Sequence, residues 1–317
     1  MNKQSRVLIL GATGLVGSAI GRRLRAEGFS QVMCPSSKTL NLVRQAETAA
    51  FFQEHRPEFV FLAAARVGGI LANSRYPADF IYDNLMIELN TIHSAHAAGV
   101  KKMLIFGSSC IYPKDSEIPI RETSLLTGAF EKTNEAYAIA KTVGVKMADY
   151  YRKEFGDDFI SVMPTNTFGP NDNFDLDKGH MVPALIHRFH LAKVNGLPSV
   201  TCWGSGRPRR ELMHVDDVAD AALFMMQNYS DFGPINVGSG VDYSIQEIAS
   251  MIKNTVKYEG ELIWDTSKPD GVFRKVMDIS RAKKMGWTTR VSLEAGLQSA
   301  YQWFLGHAQG LEHGARV

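Results

Sequence analysis

Tyr137 and Lys141 stand four residues apart in "YAIAK", inside a stretch of helical periodicity, so one helix face carries both. A tyrosine is a poor acid–base group at its ordinary pKa of about 10. A neighbouring ammonium and an oxidised nicotinamide would stabilise the phenolate and bring that value toward neutrality. Upstream, "LIFGSSCIYP" (104–113) ends an apolar run in a glycine, two serines and a cysteine. Ser108 lies where a hydroxyl can face a ligand beyond a strand. Taken alone, Cys110 reads equally well as a reactive thiol or as a small buried hydrophobe. Cys34 and Cys202 read as buried hydrophobes.

A second constellation opens the chain. "GATGLVG" sets Gly11, Gly14 and Gly17 directly after an apolar run and at the mouth of a helix. Glycines there permit a tight turn and close backbone approach to a pyrophosphate, which a helix N-terminus stabilises. The spacing departs from the common fingerprint, so position carries the argument. Sites that prefer NAD commonly hold an acid after the second strand. Here "CPSSKTLN" offers Ser36, Ser37 and Lys38 and no acid, which suits a 2′-phosphate and favours NADP. The order glycine turn, Ser108, Tyr137 and Lys141 is more specific than any one member.

Positioning these groups requires an alternating architecture. Strands are expected at 6–11, 31–34, 59–65, 102–107 and 158–164, with helices at 15–27, 44–55, 78–99 and 134–155 between them. Such alternation implies βαβ units: an α/β fold with a Rossmann-type, doubly wound parallel sheet. The segment 165–180, "TNTFGPNDNFDLDKGH", is polar and reads as a loop beside a site. A helix at 183–195, a strand "SVTCW" and a loop "GSGRPRR" follow. Residues 1–170 are expected to form the cofactor-binding domain, with segments near 205–240 returning to it. Residues 171–317 would make mainly a smaller, discontinuous α/β substrate-binding lobe, and "GLEHGARV" a frayed tail.

The totals exclude several classes. A net charge of +2 asks for neither nucleic acid nor a membrane surface. Three widely spaced cysteines do not make a disulfide framework. The N-terminal apolar run leads into the glycine turn and not a cleavage site, and no run is long enough to span a membrane. A cytoplasmic protein is expected.

The motifs in order resemble the extended short-chain dehydrogenase/reductases. Within that family the resemblance is to the branch of 3,5-epimerase/4-reductases acting on GDP-4-keto-6-deoxy-D-mannose. "AAARVGGILANSRYPADFIYDNLMIELN", "GSSCIYP", "TNEAYAIAK", "MPTNTFGPNDNF", "WGSGRPRRELMHVDD" and "SKPDG" carry it over nearly the whole chain. The resemblance implies NADPH as hydride donor, with Ser108 and Tyr137 at the sugar's C4 ketone and Lys141 on the cofactor ribose. It adds Pro164, Asn166 and His180 to the cofactor contacts. Cys110 and His180 would exchange the protons that the ketone acidifies at C3 and C5. A thiol titrating near 8.5 and an imidazole near 6.5 suit a base and an acid. Arg188, Trp203, Arg210 and Lys275 would bind the GDP-sugar. His187 and His190 lack a carboxylate or cysteine to complete a metal set, so no metal is expected. A homodimer is implied, paired through the helices at 78–99 and 134–155. Two alternatives remain. One is a reductase or epimerase acting alone on a related GDP-4-keto-deoxysugar or heptose. The other is a non-catalytic dinucleotide sensor, which would need the glycine turn but not Ser108, Tyr137 and Lys141.

Overall fold

Val7–Leu10 forms the first strand, β1, and all four of its side chains are buried. Val7 and Ile9 join one apolar cluster, Leu8 and Leu10 another. Side chains alternate across a strand, so this sheet is covered on both faces. The computed structural model describes residues 1–268 and 270–311, and the end of the expected tail, from 312, lies outside them. After β1 come α1 (Leu15–Ala26), β2 (Val32–Met33), α2 (Gln45–His55), β3 (Phe59–Leu62), α3 (Ile70–Arg75), α4 (Pro77–Ala97), β4 (Lys102–Phe106), α5 (Glu135–Phe155) and β5 (Phe159–Pro164). The chain continues through β6 (Asn166–Phe168), α6 (Met181–Val194), β7 (Ser199–Trp203), β8 (Arg209–His214), α7 (Val215–Asn228) and β9 (Pro234–Val237). It closes with β10 (Asp242–Ser244), α8 (Ile245–Val256), β11 (Glu261–Asp265), β12 (Arg274–Lys275), α9 (Ser280–Lys284) and α10 (Leu293–Leu311).

The main sheet has the order β2-β1-β3-β4-β5-β9, and every neighbouring pair is parallel. Helices α1 and α7 bury Ile20, Leu24, Val218 and Ala222 against one face, while α2, α4 and α5 bury Phe52, Ile92 and Ala148 against the other. This is the doubly wound Rossmann-type fold that the alternation implied. The winding reverses at β1, which leads to β2 on one side and β3 on the other. Ligands bind such sheets in the crevice beyond the strand ends at the reversal.

A smaller set of elements packs around β8, which pairs with β10, β12 and β6, and around the parallel pair β7–β11. Helices α6, α8 and α10 bury Ile186, Phe189, Ile252 and Phe304 beneath them. No helix among the described residues is long and apolar enough to cross a membrane.

Four expectations need correction. The polar segment after β5 contains the strand β6, whose ladder partner Leu212–His214 is remote in sequence and leaves no local pattern. Arg209 and Arg210 begin β8 instead of lying in a loop, because Asp242 and Glu247 neutralise Arg209 at the sheet margin. Helix α3 was not foreseen. Cys34 is exposed, not buried: β2 is two residues long, and the cysteine follows its last residue where the chain leaves the sheet. Cys202 is buried as expected.

Candidate active site

The glycine turn lies at the winding reversal. Gly11 has φ +86°, and a Cβ there would fall 2.6 Å from the Ala64 nitrogen beyond β3. A Cβ on Gly17 would overlap the Gly11 carbonyl, so helix α1 can start this close only without one. Gly14 is different: nothing lies nearer than 3.5 Å to its would-be Cβ. Chain packing therefore dictates the outer glycines, while the middle one faces open space. Gly14 also caps α1 with no side-chain hydrogen bond, so the amides of the first turn stay available to a phosphate. Asn171 Nδ2 donates to the Thr13 carbonyl at 2.9 Å, tying the polar loop to this turn. After β2, the Thr39 hydroxyl accepts from the Ser36 amide at 3.0 Å, and Ser37 and Lys38 are exposed. With no carboxylate in that loop, the residues present fit a phosphorylated dinucleotide. Gly11→Ala is expected to lower stability by about 3 kcal/mol, from left-handed strain plus overlap. A urea midpoint matching the parent protein would contradict that.

Beyond β4 the chain turns tightly over residues 109–111. Ser108 caps this turn, its Oγ accepting from the Cys110 amide at 3.3 Å. The Ser108 hydroxyl lies near enough to the Tyr137 phenol to favour its ionised form. Burial, with the charges of Cys110 and Glu88, pushes that phenol well above its ordinary value, and Ser108 pulls back only in part. This is opposite to the drift toward neutrality expected from a free Lys141. Desolvation is the main reason, and Lys141 does not offset it, because its ammonium donates to Glu88 Oε1 at 2.6 Å with both side chains buried. A phenol that keeps its proton is in the form a proton donor needs.

Cys110 is gripped from two sides. Asn134 Nδ2 donates to Sγ at 3.1 Å, and Lys275 Nζ lies 3.9 Å from the same sulfur. Lys275 arrives through long-range pairing. Strand β12 lies parallel to β8, and the buried Glu211 carboxylate accepts from the Met277 amide at 2.9 Å. The Ile120 amide donates to the Val276 carbonyl at 2.9 Å, stitching the loop after β4 to the same segment. An amide donor and an ammonium therefore both face the sulfur. Cys110, Tyr112, Pro113, Asn134 and Lys275 line one recess. Asn134 escaped the sequence reading; its local signal was an asparagine at the N-cap of α5, three residues before Tyr137.

The remaining expected residues are more dispersed. His180 caps α6, with a ring that is accessible at its own surface while surrounding protein holds its pKa below the ordinary value through desolvation. Among the described residues it has no side-chain hydrogen-bond partner, and none joins it to Cys110. Pro164 ends β5 and Asn166 begins β6 at the sheet's carboxyl margin, where Asn166 Nδ2 donates to the Glu211 carbonyl at 3.0 Å. His187 donates through Nδ1 to the Phe174 carbonyl at 2.8 Å. Arg188 donates to the Thr201 carbonyl at 3.3 Å, and Trp203 ends that strand 63% exposed, wide enough open to stack on a ligand. Arg210 donates to the Val272 carbonyl at 2.6 Å, and burial lowers its pKa. Among the described residues no carboxylate pairs with it, whereas its neighbour Arg209 is fully engaged with Asp242 and Glu247.

Residues 7–238, from β1 through β9, match the NAD dependent epimerase/dehydratase family. The chain belongs to that family. Lys275 and β12 lie past the matched span of the NAD dependent epimerase/dehydratase family, so relatives of full length inform that part. GDP-L-fucose synthase 1 of Arabidopsis thaliana is 51% identical over 96% of this chain and 94% of its own. GDP-L-fucose synthase of Escherichia coli K12 is 48% identical over 96% and 98%. A crystal structure of a GDP-L-fucose synthetase from Naegleria fowleri bound to NADP superimposes with a TM-score of 0.91 at 30% identity, covering 98% of this chain and 96% of that one. The glycine turn, Tyr137 and Lys141 all lie within the matched span.

Proposed function

We propose that this chain is an NADPH-dependent 3,5-epimerase/4-reductase that converts GDP-4-keto-6-deoxy-D-mannose to GDP-L-fucose. One observation carries the reading. Cys110, flanked by Asn134 and Lys275, stands two residues from Ser108, which lies beside Tyr137. A ketone reductase needs Ser108 and Tyr137 but has no use for a thiol held by two polar side chains beside them. The fucose synthases of similar sequence supply the substrate.

The chemistry follows from the ketone. A carbonyl at C4 makes the hydrogens on C3 and C5 acidic, since the carbanion is an enolate. Cys110 removes a proton from one face as thiolate, and His180 returns one from the other. Ser108 holds the enolate oxygen meanwhile, and the protonated Tyr137 phenol gives its proton to the C4 oxygen only in the later reduction. NADPH supplies the hydride for C4. Gly11, Gly14 and Gly17 would hold its pyrophosphate, Ser36, Ser37 and Lys38 its 2′-phosphate, and Lys141, Pro164, Asn166 and His180 its nicotinamide half. Arg210, a recessed cation without a carboxylate, suits the diphosphate of GDP, with Arg188 and Trp203 at the nucleoside end. Lys275 serves the thiol as well as the sugar.

In this reading residues 1–170, joined by about 205–240, make the cofactor domain, and 171–317 mainly the substrate lobe, in a cytoplasmic enzyme. The exposed Tyr82, Leu89, Tyr150 and Phe155 on α4 and α5 support a homodimer through those helices. Light scattering is expected to return twice the chain mass; a monomer at micromolar concentration would contradict it.

Incubation with GDP-4-keto-6-deoxy-D-mannose and NADPH tests the function. GDP-L-fucose is the expected product. A reduced sugar with C3 and C5 unchanged would make the chain a simple reductase. No turnover of this sugar or of related GDP-4-keto-deoxysugars and heptoses would favour a dinucleotide-binding sensor.

A further inference from the structure

Glu88 lies in the middle of α4 with its side chain 1% exposed, and its acceptor oxygen is committed to Lys141 at 2.6 Å. Its other oxygen lies against Gly144 of α5 and has no hydrogen-bond partner among the described residues. Gly144 is there for this carboxylate: a Cβ at that position would overlap Oε2. The helices thus bring a buried acid to a buried ammonium: desolvation pushes the Glu88 carboxyl above the usual carboxylate range, and the Lys141 ammonium pulls it back in part. An ion pair at this depth is seldom the most stable filling, since apolar residues of like volume often do as well or better. Its position suggests a use, because Lys141 is one helical turn from Tyr137 on the same face.

We propose that Glu88 is a positioning residue for the reduction step, holding the Lys141 ammonium and opposing its field so that Tyr137 keeps its proton until the sugar oxygen takes it. The inference rests on the reductase reading above. In the step itself hydride adds to the C4 carbon, and the π pair of the carbonyl takes the phenolic proton. The phenolate left behind is held by the Lys141 ammonium until solvent returns a proton. An unpaired ammonium would stabilise that phenolate too early and empty the proton store of the resting enzyme. The groups facing this centre are Lys141 and Tyr137 of α5 and, beyond the phenol, Cys110 of the turn after β4. The phenol's upward shift owes part of its size to Glu88.

Glu88→Gln keeps the shape and removes the charge. The first readout needs neither cofactor nor sugar: tyrosine labelled with carbon-13 at Cζ, titrated by NMR in the cofactor-free protein. In the variant the Tyr137 resonance is expected to titrate lower by about one pH unit or more, because a negative charge is lost and Lys141 is freed. The second readout is the pH profile of NADPH oxidation. Its alkaline limb is expected to move to lower pH by the same interval as the Tyr137 titration, while deuterium exchange at C3 and C5 stays at the parent rate. Gly144→Ala, which displaces the carboxylate without removing it, is expected to shift both readouts the same way. Should Glu88→Gln lose its fold, Glu88→Asp reads the same effect in smaller degree. A purely structural Glu88 would lower the melting temperature and leave both the Tyr137 titration and the pH limb in place, and that result overturns the proposal. Failure of the parent enzyme to reduce the sugar would overturn the functional reading instead, with the NMR titration still deciding the role of Glu88.

Discussion

Cys110→Ser is expected to slow solvent exchange at C3 and C5 by about two to four orders of magnitude, the span that general acid–base groups contribute. Serine retains a hydrogen-bond acceptor for Asn134 and leaves the backbone turn at Ser108 intact, so the fold and NADPH binding should persist. What changes is acidity. A hydroxyl does not ionise near neutral pH, and neither the Asn134 amide nor the Lys275 ammonium at 3.9 Å from the sulfur can supply that deficit. The measurement is deuterium incorporation into the sugar, followed by NMR without NADPH, beside NADPH affinity from fluorescence. Undiminished exchange would remove Cys110 as the base and return it to the packing role that many free cysteines have.

Tyr137→Phe should show the complementary pattern. Loss of the phenolic proton donor is expected to slow NADPH oxidation by about two to four orders of magnitude while exchange continues. The stability cost should be small, about 1 kcal/mol, since only a hydroxyl is removed and the half-buried ring keeps its place. Both rates can be read on one sample. Collapse of exchange together with reduction would mean that Tyr137 also takes part in proton removal, and the division of labour would be wrong. Reduction at the parent rate would exclude Tyr137 as donor.

The contrast between what the sequence disclosed and what it withheld follows from the range of the interactions. Strand and helix periodicity is local, so the parallel sheet, the helix with Tyr137 and Lys141 on one face, and the glycine turn were all legible. The bounds of α4 and α5 fell within about two residues of expectation because Pro77 and Gly156 mark those ends in the sequence itself. Lys275 was visible as a basic residue in a polar segment, but its place at Cys110 depends on β12 lying beside β8 and on Glu211 bonding Met277. No pattern within a window of residues records such pairing. Glu88 was hidden for a different reason. In sequence it is one acid in a helix, and only the small residue opposite, Gly144, reveals that its carboxylate points inward. Asn171 and Cys34 show the same limit in loops, where side chains follow the remote chain they meet.

The central claim is that one site both exchanges the protons at C3 and C5 and reduces C4. It is tested most directly by incubating the protein with GDP-4-keto-6-deoxy-D-mannose and NADPH in deuterated water, with product deuterium located by NMR. The account predicts NADPH consumption and GDP-L-fucose carrying deuterium at both C3 and C5. NADPH consumption with no deuterium at either carbon would contradict it, leaving a ketone reductase in which Cys110 and His180 have no part.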